Sequence, residues 1–196
     1  MIFVIGEVFK EKLVSDSMSE ILNTMPLALA LPLNDKGYRI HLGTRFKDSE
    51  DLQDIKDYLA EKDIFFNQFD DYDTYTLDDW DLDYIYDAYD TDTLVFFSNV
   101  GDDTIESMAS FGNNYDCKSV LYINKLFISK EALQLMSHCF IEKQYVQGYE
   151  SEIPKDKITI IPNHISDTEA AQLMIDKIIE IEKALNKKNK KFCFTV

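Results

Sequence analysis

The sequence contains few glycines and no glycine-rich loop. A phosphate-binding loop needs closely spaced glycines, because backbone N–H groups must approach the anion. No two glycines of this chain lie within three residues of each other, so it has neither a P-loop nor a dinucleotide-binding fingerprint. The six glycines are Gly6, Gly37, Gly43, Gly101, Gly112 and Gly148.

Cysteines are also scarce, and long apolar runs are missing. Cys117, Cys139 and Cys193 are odd in number and widely spaced, which argues against a disulfide framework and predicts a reduced, cytoplasmic location. No apolar run approaches the roughly 20 residues of a membrane span. The first residues lack the basic lead and cleavage site of a secretory signal, so we expect neither membrane insertion nor export.

Metal and nucleophile motifs are missing as well. The three histidines, His41, His138 and His164, do not stand at ligand spacing from each other or from the cysteines. His138 and Cys139 are adjacent in an apolar stretch that we interpret as a helix, with a buried cysteine and a partly exposed histidine; a Cys–His nucleophile pair remains an alternative. The sequence therefore predicts no metal, no cofactor and no catalytic residue.

Basic residues are the most unevenly distributed of all. The chain has 196 residues with 36 acidic and 20 basic side chains, a formal charge of −16. Residues 63–117 contain no Lys, Arg or His but 15 acids, while the rest of the chain is close to neutral. This base-free segment therefore carries almost all the net charge. A chain with a pI near 4.5 is not expected to bind nucleic acid or an anionic membrane directly.

The base-free segment is rich in aspartate and aromatic residues. All its acids except Glu106 are Asp, whose short side chain holds the charge close to the backbone. A disordered acidic tail would be poor in the Tyr, Phe and Trp that interleave them, so the segment is expected to fold. One interpretation is a solvated face. The other, which we favour because a merely soluble surface would mix charge signs, is a face that binds a basic protein.

The sequence therefore predicts a non-catalytic acidic binding protein of the nucleic-acid-mimic, inhibitor, immunity or antitoxin type. Its partner would be a basic protein, itself expected to bind nucleic acid, and a homodimer is a further expectation. Eight aspartates and four aromatic anchors are the candidate contacts: Asp70, Asp71, Asp73, Asp78, Asp79, Asp81, Asp83, Asp87, Tyr72, Tyr75, Trp80 and Tyr84.

Hydrophobic periodicity predicts strands alternating with helices in one α/β domain over residues 1–196. Near-continuous apolar strands favour a three-layer sandwich, with a mainly parallel sheet flanked by helices. Ser129 is the predicted N-cap of its helix, and Ser166 with Glu169 predicts a capping box. The predicted strands are residues 2–8, 38–42, 64–69, 74–77, 93–98, 119–123, 158–161 and 191–196, and the predicted helices are 19–33, 49–62, 79–90, 102–111, 129–140 and 166–186.

The order of these elements resembles the N-terminal part of the ribokinase-like (PfkB) sugar kinases. Residues 2–7 (IFVIGE) are similar to that family's opening strand, and 27–33 (LALALPL) followed by 37–43 (GYRIHLG) to its first helix and second strand. Residues 47–64 resemble the next unit. Residues 158–163 (ITIIPN) with Glu169 and Ala170 resemble the strand, Asn and Glu that lead towards the family's nucleotide-binding half. Residues 192–196 (FCFTV) resemble the strand that follows.

The resemblance implies a ribokinase-like fold without the catalytic half. The family's Gly-Gly substrate signature is absent between residues 8 and 33, and its Gly-Ala-Gly-Asp motif, which supplies the catalytic base, has no counterpart. Kinase activity is therefore not expected. The alternative function is that of a degenerate sugar-kinase relative that binds a small metabolite or a kinase partner. A concave polar pocket at the strand ends would favour this alternative, and a convex ridge of carboxylates the acidic binding protein.

Overall fold

A computed structural model of the chain describes residues 1–7, 18–45, 51–68 and 92–192. Within these ranges the strands form one sheet in the order β3-β2-β1-β4-β5-β6-β7, and every neighbouring pair is parallel. The predicted parallel sheet is thus confirmed. The strands are β1 (Ile2–Glu7), β2 (Ile40–Arg45), β3 (Phe65–Gln68), β4 (Thr93–Phe97), β5 (Lys118–Ile123), β6 (His138–Glu142) and β7 (Ile158–Ile161).

Helices cover both faces of this sheet, as expected for a three-layer sandwich. The helices are α1 (Met18–Leu22), α2 (Leu27–Asp35), α3 (Asp51–Glu61), α4 (Asp102–Asn114), α5 (Lys130–Leu135) and α6 (Asp167–Phe192). The first core lies under α1, α2, α3 and α6, and contains Val4, Phe97 and Phe140. The second core lies under α4, α5 and a 3₁₀ helix at Lys143–Gly148, and contains Phe3, Phe96 and Ile141.

Burial on both faces explains the composition of the strands. All five residues of β4, Thr93–Phe97, are buried, and its sequence TLVFF has no polar alternation. A strand covered on both sides has no solvent face, so consecutive apolar residues are favoured. The same applies to β5, which is buried from Ser119 to Ile123, and these two strands explain why the sequence pattern predicts a parallel sheet correctly.

The strand order reverses beside β1, which fixes where ligands can approach. The chain moves outward through β2 and β3, returns to the other side of β1 at β4, and continues outward to β7. In such sheets, ligands bind outside the carboxyl ends of the strands. Gly6, near the end of β1, is needed there because a Cβ would lie 2.8 Å from Cδ2 of Phe97.

Two predicted elements are wrong. The helix expected over residues 129–140 ends at Leu135, and His138–Glu142 forms strand β6 between β5 and β7. A short buried apolar run has the same composition in a helix and in a central strand, so periodicity cannot separate them. The final strand expected from Lys191 is also wrong at its start, since α6 continues to Phe192.

Other predictions lie outside the described residues. These are the strand at 74–77, the helix at 79–90 and the last four residues of the final strand. Of the helices in the described ranges, none is both long enough and apolar enough to cross a membrane.

Candidate functional site

A polar pocket lies at the carboxyl ends of β5, β6 and β7, where the first turn of α6 closes it. We call it the carboxyl-edge pocket. Its cavity volume is about 100 Å³. Because parallel strands end at one edge, residues far apart in sequence meet here. The lining residues are Tyr122, Glu142, Gln144, Ile161, Pro162, Asn163, His164, Ile165, Asp167 and Ala170.

A tyrosine–carboxylate pair forms the centre of the pocket. The hydroxyl of Tyr122 donates to Oε1 of Glu142 at 2.7 Å, and Nε2 of Gln144 donates to Oε2 at 2.8 Å. Burial raises the pKa of Tyr122, and the hydrogen bond and charge of Glu142, followed by the charge of Asp167, raise it further. Tyr122 therefore stays protonated and acts as a donor, which fixes the orientation of the Glu142 carboxylate.

Asp167, Asn163 and His164 are the other polar residues of the pocket. Oδ2 of Asp167 accepts from the backbone N–H of Met25 at 2.8 Å, which links the start of α6 to the turn that precedes α2. Oδ1 of Asn163 accepts from the backbone N–H of Gln144 at 3.1 Å. Within the described part of the chain, no protein group donates to Oδ1 of Asp167. The pocket thus offers one carboxylate oxygen and the Asn163 amide NH₂ to a ligand.

The start of α6 is fixed by the predicted capping box. The Ser166 N–H donates to Oε2 of Glu169 at 2.8 Å, and the Glu169 N–H donates to Oγ of Ser166 at 3.2 Å. The backbone hydrogen bond from Ser166, followed by its hydroxyl, lowers the pKa of Glu169. Glu169, which the family resemblance singles out, therefore caps the helix, and the pocket carboxylate of this turn is Asp167.

The electrostatics of the pocket are one-sided. Its ten lining residues include the carboxylates of Glu142 and Asp167 and no Lys or Arg. Such a site attracts cationic groups and hydrogen-bond donors and repels anions. Among the described residues, no three His, Cys, Asp or Glu side chains are grouped as metal ligands.

His138 and Cys139 do not form a catalytic pair. They are consecutive residues of β6, so their side chains point to opposite faces of the sheet. His138 lies at 2.9 Å from Oγ1 of Thr159 on the first face, whereas Cys139 belongs to the core of the second. Burial raises the pKa of Cys139 to about 12, so its thiol is not a nucleophile near neutral pH. His138 is only 3% exposed, not partly exposed as predicted.

A second polar cluster lies at the opposite, amino edge of the sheet. The N-terminal ammonium of Met1 is 2.6 Å from Oδ2 of Asp92 and 3.7 Å from Oε1 of Glu182. The Thr93 hydroxyl also bonds to Glu182. Burial raises the pKa of Glu182. We assign this cluster to stability, because its charged groups pair with one another.

The twelve predicted contact residues lie outside the described residues. The structure therefore does not place the predicted acidic face. The residues concerned are Asp70, Asp71, Asp73, Asp78, Asp79, Asp81, Asp83, Asp87, Tyr72, Tyr75, Trp80 and Tyr84.

Three described acids of the base-free segment have local structural roles. Asp92 pairs with the Met1 ammonium. Oδ2 of Asp102 accepts from the Ser129 N–H at 3.2 Å, and Glu106 accepts from the Ser129 hydroxyl. These acids thus support neighbouring elements as well as contributing charge.

Several known structures with a similar fold are sugar kinases. No protein-family model matches the sequence, and no curated protein matches it. An uncharacterised sugar kinase from Pyrococcus horikoshii superposes with a TM-score of 0.55 and 13% identity, covering 82% of this chain and 73% of the kinase. A carbohydrate kinase from Agrobacterium tumefaciens gives a TM-score of 0.52 and 10% identity, covering 75% of this chain and 62% of that one.

A ribokinase from Arabidopsis thaliana, solved with ribose and ATP, gives a TM-score of 0.52 and 11% identity. The match covers 92% of this chain and 68% of the ribokinase. At such identities the likeness concerns the fold, and the chain spans about two thirds of the length of these kinases. The structure and the comparisons together show a ribokinase-like α/β fold that corresponds to part of a PfkB-type sugar kinase.

Proposed function

We propose that the protein binds a small polar ligand in the carboxyl-edge pocket. The observation that carries this proposal is the convergence of Tyr122, Glu142 and Asp167 from three different elements on one cavity. All three side chains are already held by hydrogen bonds within the protein, so little ordering is needed on binding. The pocket also lies at the edge of the sheet where α/β proteins bind their ligands.

The lining favours a ligand rich in hydroxyl or amino groups. Oδ1 of Asp167 accepts a hydrogen bond from such groups, and the absence of Lys and Arg among the described lining residues disfavours a phosphate. A cavity of about 100 Å³ holds one end of such a ligand, and the rest extends outward. Several known structures of similar fold are sugar kinases, one of them solved with ribose and ATP, so free sugars are the first compounds to test.

Thermal shift and calorimetry with free pentoses and hexoses test this proposal. We expect one of these sugars to raise Tm, and expect both Asp167→Asn and Glu142→Gln to abolish the rise. Each substitution keeps the shape of the side chain and removes its charge. Glu150→Gln, at an exposed position outside the pocket, is the matched control. The proposal is wrong if no sugar binds, or if the pocket variants bind as the original protein does.

A second candidate function, binding of a basic protein through the base-free segment, is favoured by the charge distribution. Fifteen acids without a single Lys, Arg or His occur in residues 63–117. We propose that this segment engages a basic, nucleic-acid-binding protein in the cytoplasm, with the aspartates from Asp70 to Asp87 as contacts. Electrostatic attraction would make association fast and sensitive to salt. A second copy of the chain is a further proposed partner.

A further inference from the structure

The loop between β5 and α5, residues 124–129, is held firmly at its first half. Oγ of Ser98 donates to Oδ1 of Asn124 at 2.6 Å and accepts from the Asn124 N–H at 3.1 Å. The hydroxyl of Tyr149 donates to the carbonyl oxygen of Lys125 at 3.1 Å and accepts from the Ile128 N–H at 3.1 Å. These contacts fix the backbone on both sides of residues 126 and 127.

The second half of the loop is held by the first turns of two helices. The Ser129 N–H donates to Oδ2 of Asp102 at 3.2 Å, and the Ser129 hydroxyl donates to Glu106, both on α4. Oγ of Ser129 also accepts from the Ala132 N–H at 3.0 Å, which makes Ser129 the N-cap of α5, as predicted. The loop is therefore tied to β4, α4, α5 and the 3₁₀-helical region around Tyr149.

This well-supported loop presents two large apolar side chains to solvent. Leu126 is 51% exposed and Phe127 is 87% exposed, the largest exposure among the large hydrophobic residues described. Phe127 also has a φ of 68°, in the left-handed region that favours glycine and asparagine. Folding alone would favour a small or polar residue here, because a phenyl ring at this position gains little burial and strains the backbone.

Acidic residues outnumber basic ones on and beside the elements that hold this loop. Five carboxylates stand against three lysines: Lys143 on the 3₁₀ helix, and Lys125 and Lys130 on the loop and α5. Lys125 lies 3.8 Å from Oδ1 of Asp102, and Lys130 lies 3.2 Å from Oε1 of Glu152, so these two lysines are offset by acids. The five carboxylates are Asp102, Asp103, Glu106, Glu131 and Glu152.

We propose that Leu126 and Phe127 form the apolar anchor of a docking surface for a segment of another protein that carries large apolar residues flanked by Lys or Arg. Aromatic side chains on a backbone that is fixed before binding lose little entropy on docking and dominate many interfaces. The nearby carboxylates would pair with the basic residues of that segment. The basic character of this partner rests on the second proposed function. The position of the apolar anchor rests on neither the second proposed function nor the carboxyl-edge pocket.

A stability measurement separates a docking role from a structural one. In the full chain, Phe127→Asn suits the left-handed backbone, so we expect Tm to be unchanged or to rise by about 2–4 °C. A residue that packs in the fold would behave in the opposite way. A fall in Tm for Phe127→Asn, with native circular dichroism otherwise kept, would overturn the proposal.

A binding measurement uses a phage-displayed library of random 12-residue peptides selected on the original protein. We expect the selection to enrich peptides with large apolar residues flanked by Lys or Arg. The affinity of these peptides for the protein should fall at least tenfold in the Phe127→Asn variant and should decrease as the salt concentration rises. Leu173→Ala, which removes an exposed leucine from α6, is the matched control and should leave affinity unchanged.

The remaining outcomes contradict the proposal. Peptides that bind Phe127→Asn as well as the original protein would place the docking surface elsewhere. A library that yields no enriched peptide would show that the apolar pair is merely exposed. Enrichment of apolar peptides that lack basic residues and bind independently of salt would overturn the proposed partner chemistry. It would also overturn the electrostatic argument for the second function. Sugar binding in the pocket would be unaffected by this outcome.

Discussion

Tyr122 and Glu142 join the ends of two neighbouring strands through a 2.7 Å hydrogen bond from the phenol to the carboxylate. Tyr122 lies near the end of β5 and is 5% exposed, while Glu142 is the last residue of β6. The bond holds a charged group at the rim of the apolar core, in contact with the pocket. It therefore connects the stability of the sheet with the proposed ligand site.

Tyr122→Phe removes this bond without changing the volume of the ring. We expect the free energy of unfolding to fall by about 1–2 kcal/mol, because a half-buried carboxylate loses a donor. Urea denaturation with linear extrapolation measures this change. Tyr115→Phe, at a 45% exposed tyrosine on the surface, is the control and should change stability by less than about 0.5 kcal/mol. Equal effects of the two substitutions would contradict the role assigned to Tyr122.

His138 gives the fold a defined dependence on pH. Burial, followed by the charge of Lys177, lowers the pKa of His138 from 6.5 to about 4. Because the unfolded chain binds the proton more readily, the contribution of His138 to stability is complete above about pH 6.5 and is lost as pH falls towards 4. The loss is about 2–3 kcal/mol.

The measurement compares the original protein with His138→Gln, which can still bond to Thr159. The difference in the free energy of unfolding between the two proteins should decrease steadily from pH 7 to pH 4.5. Other groups titrate in both proteins and cancel in this difference. A constant difference over the range would show that His138 is protonated equally in both states.

Ser129 connects α4 with the first turn of α5, so its removal should be costly. Ser129→Ala eliminates the N-cap of α5 and the hydroxyl that donates to Glu106. We expect a loss of about 1–2 kcal/mol in the free energy of unfolding. Ser129→Asn restores the cap without a charge and should recover part of the lost stability. Ser129→Asp also restores the cap but places a charge beside Glu106 and Asp102, so it should recover less stability than Ser129→Asn. Full recovery by Asp would contradict this electrostatic argument.

The base-free segment is testable without knowledge of its partner. Replacing four aspartates together by Asn removes four charges from a stretch that has no basic residue. The four are Asp78, Asp79, Asp81 and Asp83. If like charges repel in the folded protein, the fourfold variant should melt at a higher temperature than the original protein at low salt. The difference should shrink as NaCl screens interactions beyond about 8–10 Å. A difference that does not vary with salt would favour locally compensated charges.

The sequence alone determines the layers of this fold and several of its helix ends. Continuous apolar strands such as Thr93–Phe97 predict a sheet buried on both faces, and the Ser129 cap and the Ser166–Glu169 capping box are found as predicted. These features depend on residues close together in the chain, so local pattern is sufficient. The pattern wrongly predicts residues 138–140 as the end of a helix, because only pairing with β5 and β7 distinguishes a buried strand from a buried helix.

The tertiary structure decided which residues meet. The pocket brings together Tyr122, Glu142 and Asp167, whose successive separations in the chain are 20 and 25 residues. They share no motif and converge only because parallel strands end at one edge of the sheet. The exposure and left-handed backbone of Phe127 are likewise absent from any sequence pattern, since they follow from contacts that hold the loop at Asn124, Lys125 and Ser129. Composition fixes how much charge and apolar surface the chain has, whereas strand order and long-range hydrogen bonds fix where each is displayed.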